Sequence, residues 1–84
     1  MSALRDRSQF YFSLASMLEA GVPMLRAMKQ SYPGRFRKVA RALGEQMEAG
    51  ASLSDAMRTE AAFSGFERNV VAAGELTGNL PTVF

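Results

Sequence analysis

The sequence predicts an all-α fold, a small antiparallel bundle of about six helices that alternate between longer and shorter. Apolar residues recur at helical spacing through most of the 84 positions. No run of five or more residues alternates apolar and polar side chains with the period of a strand. In addition, Glu-Ala-Gly occurs twice, at 19–21 and 48–50, and Ala-Met with a basic residue follows at the same spacing each time.

Each copy of Glu-Ala-Gly has the composition of a joint between two helices. Glycine adopts positive φ without a Cβ penalty, so Gly21 and Gly50 are each predicted to end a helix. The next helix then begins at once, with Pro23 in its first turn in one copy and Ser52 as its N-cap in the other. Gly78 marks a third joint near the end of the sequence.

These joints, together with a Pro-Gly turn at 31–34, divide the chain into its predicted helices. The helices are predicted at 4–20, 23–30, 35–49, 52–60 and 64–77, with a sixth from 79 onward. The inward face of the fifth helix is predicted to consist of Phe66, Val70, Val71 and Ala73. Because the sixth helix has barely begun at Phe84, residues 1–84 are predicted to be one domain and a fragment of a longer protein.

Composition argues against an enzyme. The sequence has no cysteine and no histidine, which removes disulfides, thiolate zinc sites and the most frequent general base. The segment from Gly74 to Gly78 lacks the lysine and the length of a phosphate-binding Walker motif, so no cofactor is predicted. No apolar run approaches the roughly 20 residues that span a bilayer.

Three blocks carry a resemblance to a known family: 12–24, 49–57 and 74–80. In this order and spacing they resemble the cytoplasmic domain of the type II secretion system F family, the inner-membrane platform proteins of type II secretion and type IV pilus assembly. The resemblance implies a non-catalytic six-helix domain, usually present twice, at the cytoplasmic face of the bacterial inner membrane. It also implies a parent membrane protein that links the cytoplasmic assembly ATPase to the growing pilus or pseudopilus.

Glu75 and Gly74 are candidate partner-binding residues. Glu75 lies in the last turn of the fifth helix, where a carboxylate opposes the helix dipole by roughly 0.3–1 kcal/mol and calls for a compensating partner. An arginine, another protein or a hard cation could compensate it, which makes Glu75 a weak metal candidate, and a loose pair with Arg68 is the plainer alternative. Gly74 lies inside the same helix, where glycine costs roughly 1 kcal/mol unless another helix, such as the first, approaches closely.

Basic residues cluster around the turn at 31–34. They are Arg26, Lys29, Arg35, Arg37, Lys38 and Arg41. Of these, Arg37, Lys38 and Arg41 are predicted to contact a partner protein. A solvated basic face, phosphate binding and the positive-inside tendency of cytoplasmic segments are the alternatives that the residues leave open.

A nucleic-acid-binding domain that uses the basic third helix is the rival functional hypothesis. It is the less favoured one, because that helix carries only Gln46 among the amides that read base edges. The preferred partners are therefore a secretion or assembly ATPase and other inner-membrane platform proteins, without nucleic acid. A homodimer is also expected, because a truncated sixth helix leaves apolar surface uncovered.

Overall fold

The computed structural model describes residues 3–30, 32 and 34–78, and these residues form five α-helices without a strand. The helices are α1 (Ala3–Glu19), α2 (Met24–Met28), α3 (Phe36–Glu48), α4 (Leu53–Met57) and α5 (Gly65–Thr77). Their lengths of 17, 5, 13, 5 and 13 residues confirm the all-α prediction and the alternation of longer and shorter helices. The predicted sixth helix lies outside the described residues.

The joint between α1 and α2 is closed by a left-handed glycine. Gly21 has φ +91° and donates its N–H to the carbonyl of Leu18 at 3.0 Å. Val22 donates to the carbonyl of Met17, also at 3.0 Å. This pair of bonds is the Schellman arrangement, which satisfies carbonyls that the end of a helix leaves without partners.

The joint between α3 and α4 has the same geometry. Gly50 has φ +109° and donates to the carbonyl of Met47 at 3.0 Å, while Ala51 donates to that of Gln46 at 3.0 Å. The sequence repeat therefore corresponds to a structural repeat, in which the same hydrogen bonds end a long helix and begin a short one.

The starts of the short helices differ between the two copies. Ser52 is the N-cap of α4, as predicted, and its Oγ accepts the N–H of Asp55 at 3.2 Å. Pro23 lies one position earlier than predicted, at the N-cap of α2, where its carbonyl accepts the N–H of Ala27 at 2.9 Å. Proline suits that position because the N-cap has extended backbone and needs no N–H of its own. Gly78 ends α5 with φ +75°, as predicted.

The core is centred on the ring of Phe10. Phe36 stacks on it with a centroid separation of 4.8 Å, and Tyr32 and Phe63 approach it at 5.2 and 6.0 Å. The Tyr32 hydroxyl donates to the carbonyl of Ala27 at 2.7 Å, and burial raises its pKa to about 12. One aromatic cluster thus joins α1 and α3 to the segment before α3, which holds Tyr32, and to the segment after α4, which holds Phe63.

The prediction for the inward face of α5 was wrong for two residues. Phe66 is 78% exposed and Ala73 is also exposed, whereas Val71 and Gly74 are buried. The inward face is rotated by about one residue, because Glu67 turns toward α1 and fixes the helix about its axis.

Glu67 joins α5 to α1. Its Oε1 accepts hydrogen bonds from Arg7 Nη1 at 2.7 Å and from the Tyr11 hydroxyl at 2.8 Å. Its Oε2 accepts the N–H of Ser64 at 2.9 Å, and Ser64 Oγ accepts the N–H of Glu67 at 3.1 Å, which completes a capping box. Burial alone would raise the pKa of Glu67, but the hydrogen bonds from Ser64 and Tyr11 and the charge of Arg7 outweigh it and lower the pKa.

Asp6 joins α1 to the start of α3. It is buried, with 8% of its surface exposed, and its Oδ2 accepts the N–H of Arg35 at 3.4 Å. Its carboxylate lies so close to Gly34, which has φ +64°, that a Cβ there would be 2.5 Å from Oδ2. Because the N-cap side chain of α3 makes no capping bond, Asp6 supplies the negative charge that this helix end favours.

We expect Gly21→Ala and Gly50→Ala to lower the free energy of unfolding by similar amounts, about 1–2 kcal/mol each, because L-residues are strained at positive φ. No atom lies within 4 Å of a Cβ at either position, so the loss should be conformational rather than steric. Urea denaturation measures it, with Gly65→Ala as the control at negative φ. A loss in one joint only, or in neither, would contradict the equivalence of the joints.

We expect stability to fall as the pH drops from about 5 through the folded pKa of Glu67. The pKa is lowered by folding, so the unfolded state binds the proton first and the stabilisation present at neutral pH is lost on acidification. Glu67→Gln should flatten this pH dependence and cost about 1–3 kcal/mol at pH 7. Denaturation between pH 3 and 7 measures both effects, with exposed Glu19→Gln as control. An unaltered slope in Glu67→Gln would refute the assignment.

Candidate interaction surface

The predicted basic residues on α2, on α3 and next to them are exposed, and three of them, Lys29, Arg37 and Arg41, meet at a cleft between the two helices. Together they are called the basic surface, which comprises Arg26, Lys29, Arg35, Arg37, Lys38 and Arg41. The α2 and α3 helices pack against each other, so basic residues of both helices come near one another. Among the described residues, the only ion pair on this surface joins Lys29 Nζ to Glu48 Oε2, at 2.6 Å.

The charges of α3 run against its dipole. Its first turn holds Arg37 and Lys38 and no acidic residue, while its last turn holds Glu45 and Glu48 and no basic one. Each such charge is unfavourable by roughly 0.3–1 kcal/mol when exposed. The ion pair between Lys29 and Glu48 offsets little of this unfavourable energy, since surface ion pairs contribute about 0.2–1 kcal/mol. Asp6 of α1 supplies a favourable charge at the start of α3, but the charged residues of the helix itself do not serve its stability.

A cleft of about 420 Å³ lies between α2 and α3 within this surface. Arg37 and Arg41 line it together with Lys29, whereas Lys38 does not. Of the three residues of α3 that were predicted to contact a partner, Arg37 and Arg41 therefore lie at the cleft and Lys38 lies outside it. Gly44 also lines the cleft, and as a mid-helix glycine it costs roughly 1 kcal/mol relative to alanine.

Glu75 binds the start of α4. Its Oε2 accepts the N–H of Leu53 at 2.8 Å, and its Oε1 accepts the hydroxyl of Ser54 at 2.6 Å and the N–H of Ser54 at 3.4 Å. A carboxylate that is unfavourable at the end of α5 is favourable at the beginning of α4. The charge of Glu75 is therefore compensated by the start of α4, within the chain. Arg68, the alternative partner, donates to the carbonyl of Phe63 at 3.2 Å.

Gly74 is buried, and α4 is the helix beside its turn of α5. The sequence suggested α1 as the neighbour of this glycine. Within the part of the chain that the structure describes, no three acidic, cysteine or histidine side chains come close enough to hold a metal ion. A partner contact at Glu75 or Gly74 stays a prediction, and both residues already have structural roles.

The cleft and the role of Gly44 are the parts of this surface that sequence reasoning missed. One signal for them existed: a glycine in the middle of a strongly amphipathic helix, with arginines one and two turns before it and glutamates after it. That pattern indicates that the position of Gly44 on the helix favours the absence of a side chain. It does not show that a second helix, α2, forms the opposite wall.

Comparison with known proteins supports this chain's resemblance to secretion and pilus proteins. Residues 10–84 match the family model of type II secretion system (T2SS), protein F. The chain is 32% identical over 84 residues to the type IV pilus assembly protein PilC of Thermus thermophilus. That alignment covers 95% of this chain and 21% of the relative, so the chain spans about a fifth of that protein.

Within the described residues, no helix is both long and apolar enough to cross a membrane. The family match nevertheless extends over most of the sequence and includes all three blocks on which the resemblance rests. The chain belongs to the type II secretion system protein F family.

Proposed function

We propose that this chain is a non-catalytic scaffold domain of an inner-membrane platform protein for type II secretion or type IV pilus assembly. It lies at the cytoplasmic face of the bacterial inner membrane and docks the assembly ATPase. The observation that carries the docking proposal is the basic surface, five of whose six cations have no ion pair among the described residues.

The basic surface suits a protein partner with an acidic face. Arg37 and Lys38 have exposed side chains at the start of α3, and neither side chain makes a hydrogen bond within the described residues. Such charges cost little desolvation in the free domain and steer an oppositely charged partner into register. Arg37 and Lys38 are placed unfavourably relative to the α3 dipole, as expected where residues are selected for binding and not for the stability of the helix.

The contacts of α3 suit it to pass a displacement through the domain. It packs against α1, α2 and α4, and α5 is tied to α4 by Glu75 and to α1 by Glu67. A partner that moves α3 therefore moves elements on both sides of it. We infer that the domain transmits the conformational change of the ATPase to the membrane helices of the parent protein through this packing.

Self-association is a second part of the proposal. Phe12, Phe66 and Leu76 expose large apolar side chains, with 69, 78 and 89% of their surfaces accessible. Exposed aromatic and leucine side chains favour a protein contact that covers them. We expect a concentration-dependent dimer in sedimentation velocity, weakened by Phe66→Ser. A monomer at all concentrations, or a dimer that Phe66→Ser leaves unchanged, would contradict this part.

The rival hypothesis of nucleic-acid binding gains no support from the family match. Its distinguishing property is a steep salt dependence of binding to duplex DNA, since phosphate contacts release counterions. The docking proposal instead expects the same cations to act on one protein partner.

We expect Arg37→Glu and Lys38→Glu each to weaken binding of the cognate assembly ATPase by about tenfold or more, because each replaces an attractive charge with a repulsive one. Affinity can be measured by biolayer interferometry, and co-purification gives a second readout. Circular dichroism should stay unchanged and stability to urea should not fall, since both side chains are exposed and a glutamate in the first turn of α3 is favoured by the helix dipole.

Arg58→Glu is the matched control, because Arg58 is an exposed cation outside the basic surface, and its ion pair within the described part of the chain is with Asp55, at 3.6 Å. It should leave ATPase binding nearly unchanged. Equal weakening by all three variants would indicate an effect of net charge alone. Unaltered binding in both α3 variants would refute the docking surface.

A further inference from the structure

The cleft between α2 and α3 has the dimensions of a ligand site. Its volume of about 420 Å³ falls within the range of roughly 300–1,000 Å³ that is usual for small-molecule pockets. Among the residues that line it are Lys29, Arg37, Ala40, Arg41, Gly44 and Glu45. They divide the cleft into a cationic end, an uncharged floor and an anionic end.

Two arginines form the cationic end. Arg37 and Arg41 are one helical turn apart on α3, so their guanidinium groups project from the same face. Neither side chain has a hydrogen bond or an ion pair within the described residues. Two like charges at this spacing repel each other unless an anion lies between them. Guanidinium groups bind phosphate oxygens with two parallel hydrogen bonds, which makes phosphate a well-matched anion.

Gly44 forms the floor together with Ala40. It is buried in the middle of α3, yet a Cβ placed on it would meet no atom closer than Met28 Cγ, at 3.8 Å. The packing of the protein itself therefore does not require glycine there. Because Gly44, Met28 and Lys29 all line the cleft, such a Cβ would narrow it, and the cleft therefore suits a ligand group that lies flat against the helix.

The anionic end differs from the cationic end in chemistry. Glu45 is exposed and lies one turn beyond Arg41, and Glu48 follows, already engaged by Lys29 at 2.6 Å. A carboxylate at this end accepts hydrogen bonds from the O–H or N–H groups of a neutral moiety. A ligand that spans the cleft should therefore combine a phosphate with a flat, donor-rich group.

We propose that this cleft binds a nucleoside phosphate. The phosphate lies between Arg37 and Arg41, the planar base or sugar packs on Ala40 and Gly44, and hydroxyl or amino groups donate to Glu45. The inference goes beyond the scaffold function and does not depend on it, although Arg37 serves both. The test uses the chain without the ATPase, so failure of one proposal leaves the other unaffected.

The probe is ADP, titrated into the chain by isothermal titration calorimetry, with inorganic phosphate and adenosine as partial ligands. We expect saturable binding of ADP that is at least tenfold tighter than that of either partial ligand. Arg41→Gln should weaken ADP binding by tenfold or more, because it removes one of the two guanidinium groups. Lys38→Gln is the matched control, with the same charge loss on the same helix but outside the cleft, and should retain the affinity.

Gly44→Ala separates a ligand site from a stability effect. Alanine favours the helix, so this variant should unfold at a temperature about 4–8 °C higher and still bind ADP at least tenfold more weakly. No binding of ADP at millimolar concentration would overturn the proposal. So would equal weakening by Lys38→Gln, phosphate binding as tight as that of ADP, or full affinity in Gly44→Ala. Binding only to vesicles of anionic phospholipid would assign the cations to a membrane surface and overturn it as well.

Discussion

The packing of aromatic rings around Phe10 holds α3 and its neighbouring segments against α1. Phe36 from α3, Tyr32 from the preceding connection and Phe63 from the connection after α4 all reach this ring. A chain of 84 residues buries a modest fraction of its surface, so a few large rings carry much of the available hydrophobic stabilisation. They also fix where α3 lies relative to α1, and α3 carries the basic surface.

Local features of the fold are predictable from the sequence, because their causes lie within a few residues. The glycine joints at Gly21 and Gly50, the serine cap at Ser52 and the left-handed end at Gly78 depend on backbone φ and on neighbouring N–H groups. The grouping of basic residues is predictable for the same reason, since few residues separate α2 from α3 and the two helices pack together. The family resemblance rests on these same blocks.

The remaining features depend on contacts between residues far apart in the sequence. Glu75 reaches across to the first turn of α4, and Glu67 to Arg7 and Tyr11 on α1, over separations of 21 to 60 residues. The second of these contacts rotates α5 and exposes Phe66. Helical periodicity in the sequence identifies the apolar side of a helix. It does not show how far a bond to a distant residue, such as that of Glu67, rotates the helix about its axis.

We propose that the basic surface is where the parent platform protein meets its ATPase. Hydrogen–deuterium exchange on the domain, with and without the ATPase, tests it most directly because it locates the contact without altering a residue. We expect slower exchange of backbone amides in α2 and in the first turns of α3, with α5 little changed. Protection confined to α5, with α2 and α3 exchanging as in the free domain, would contradict it.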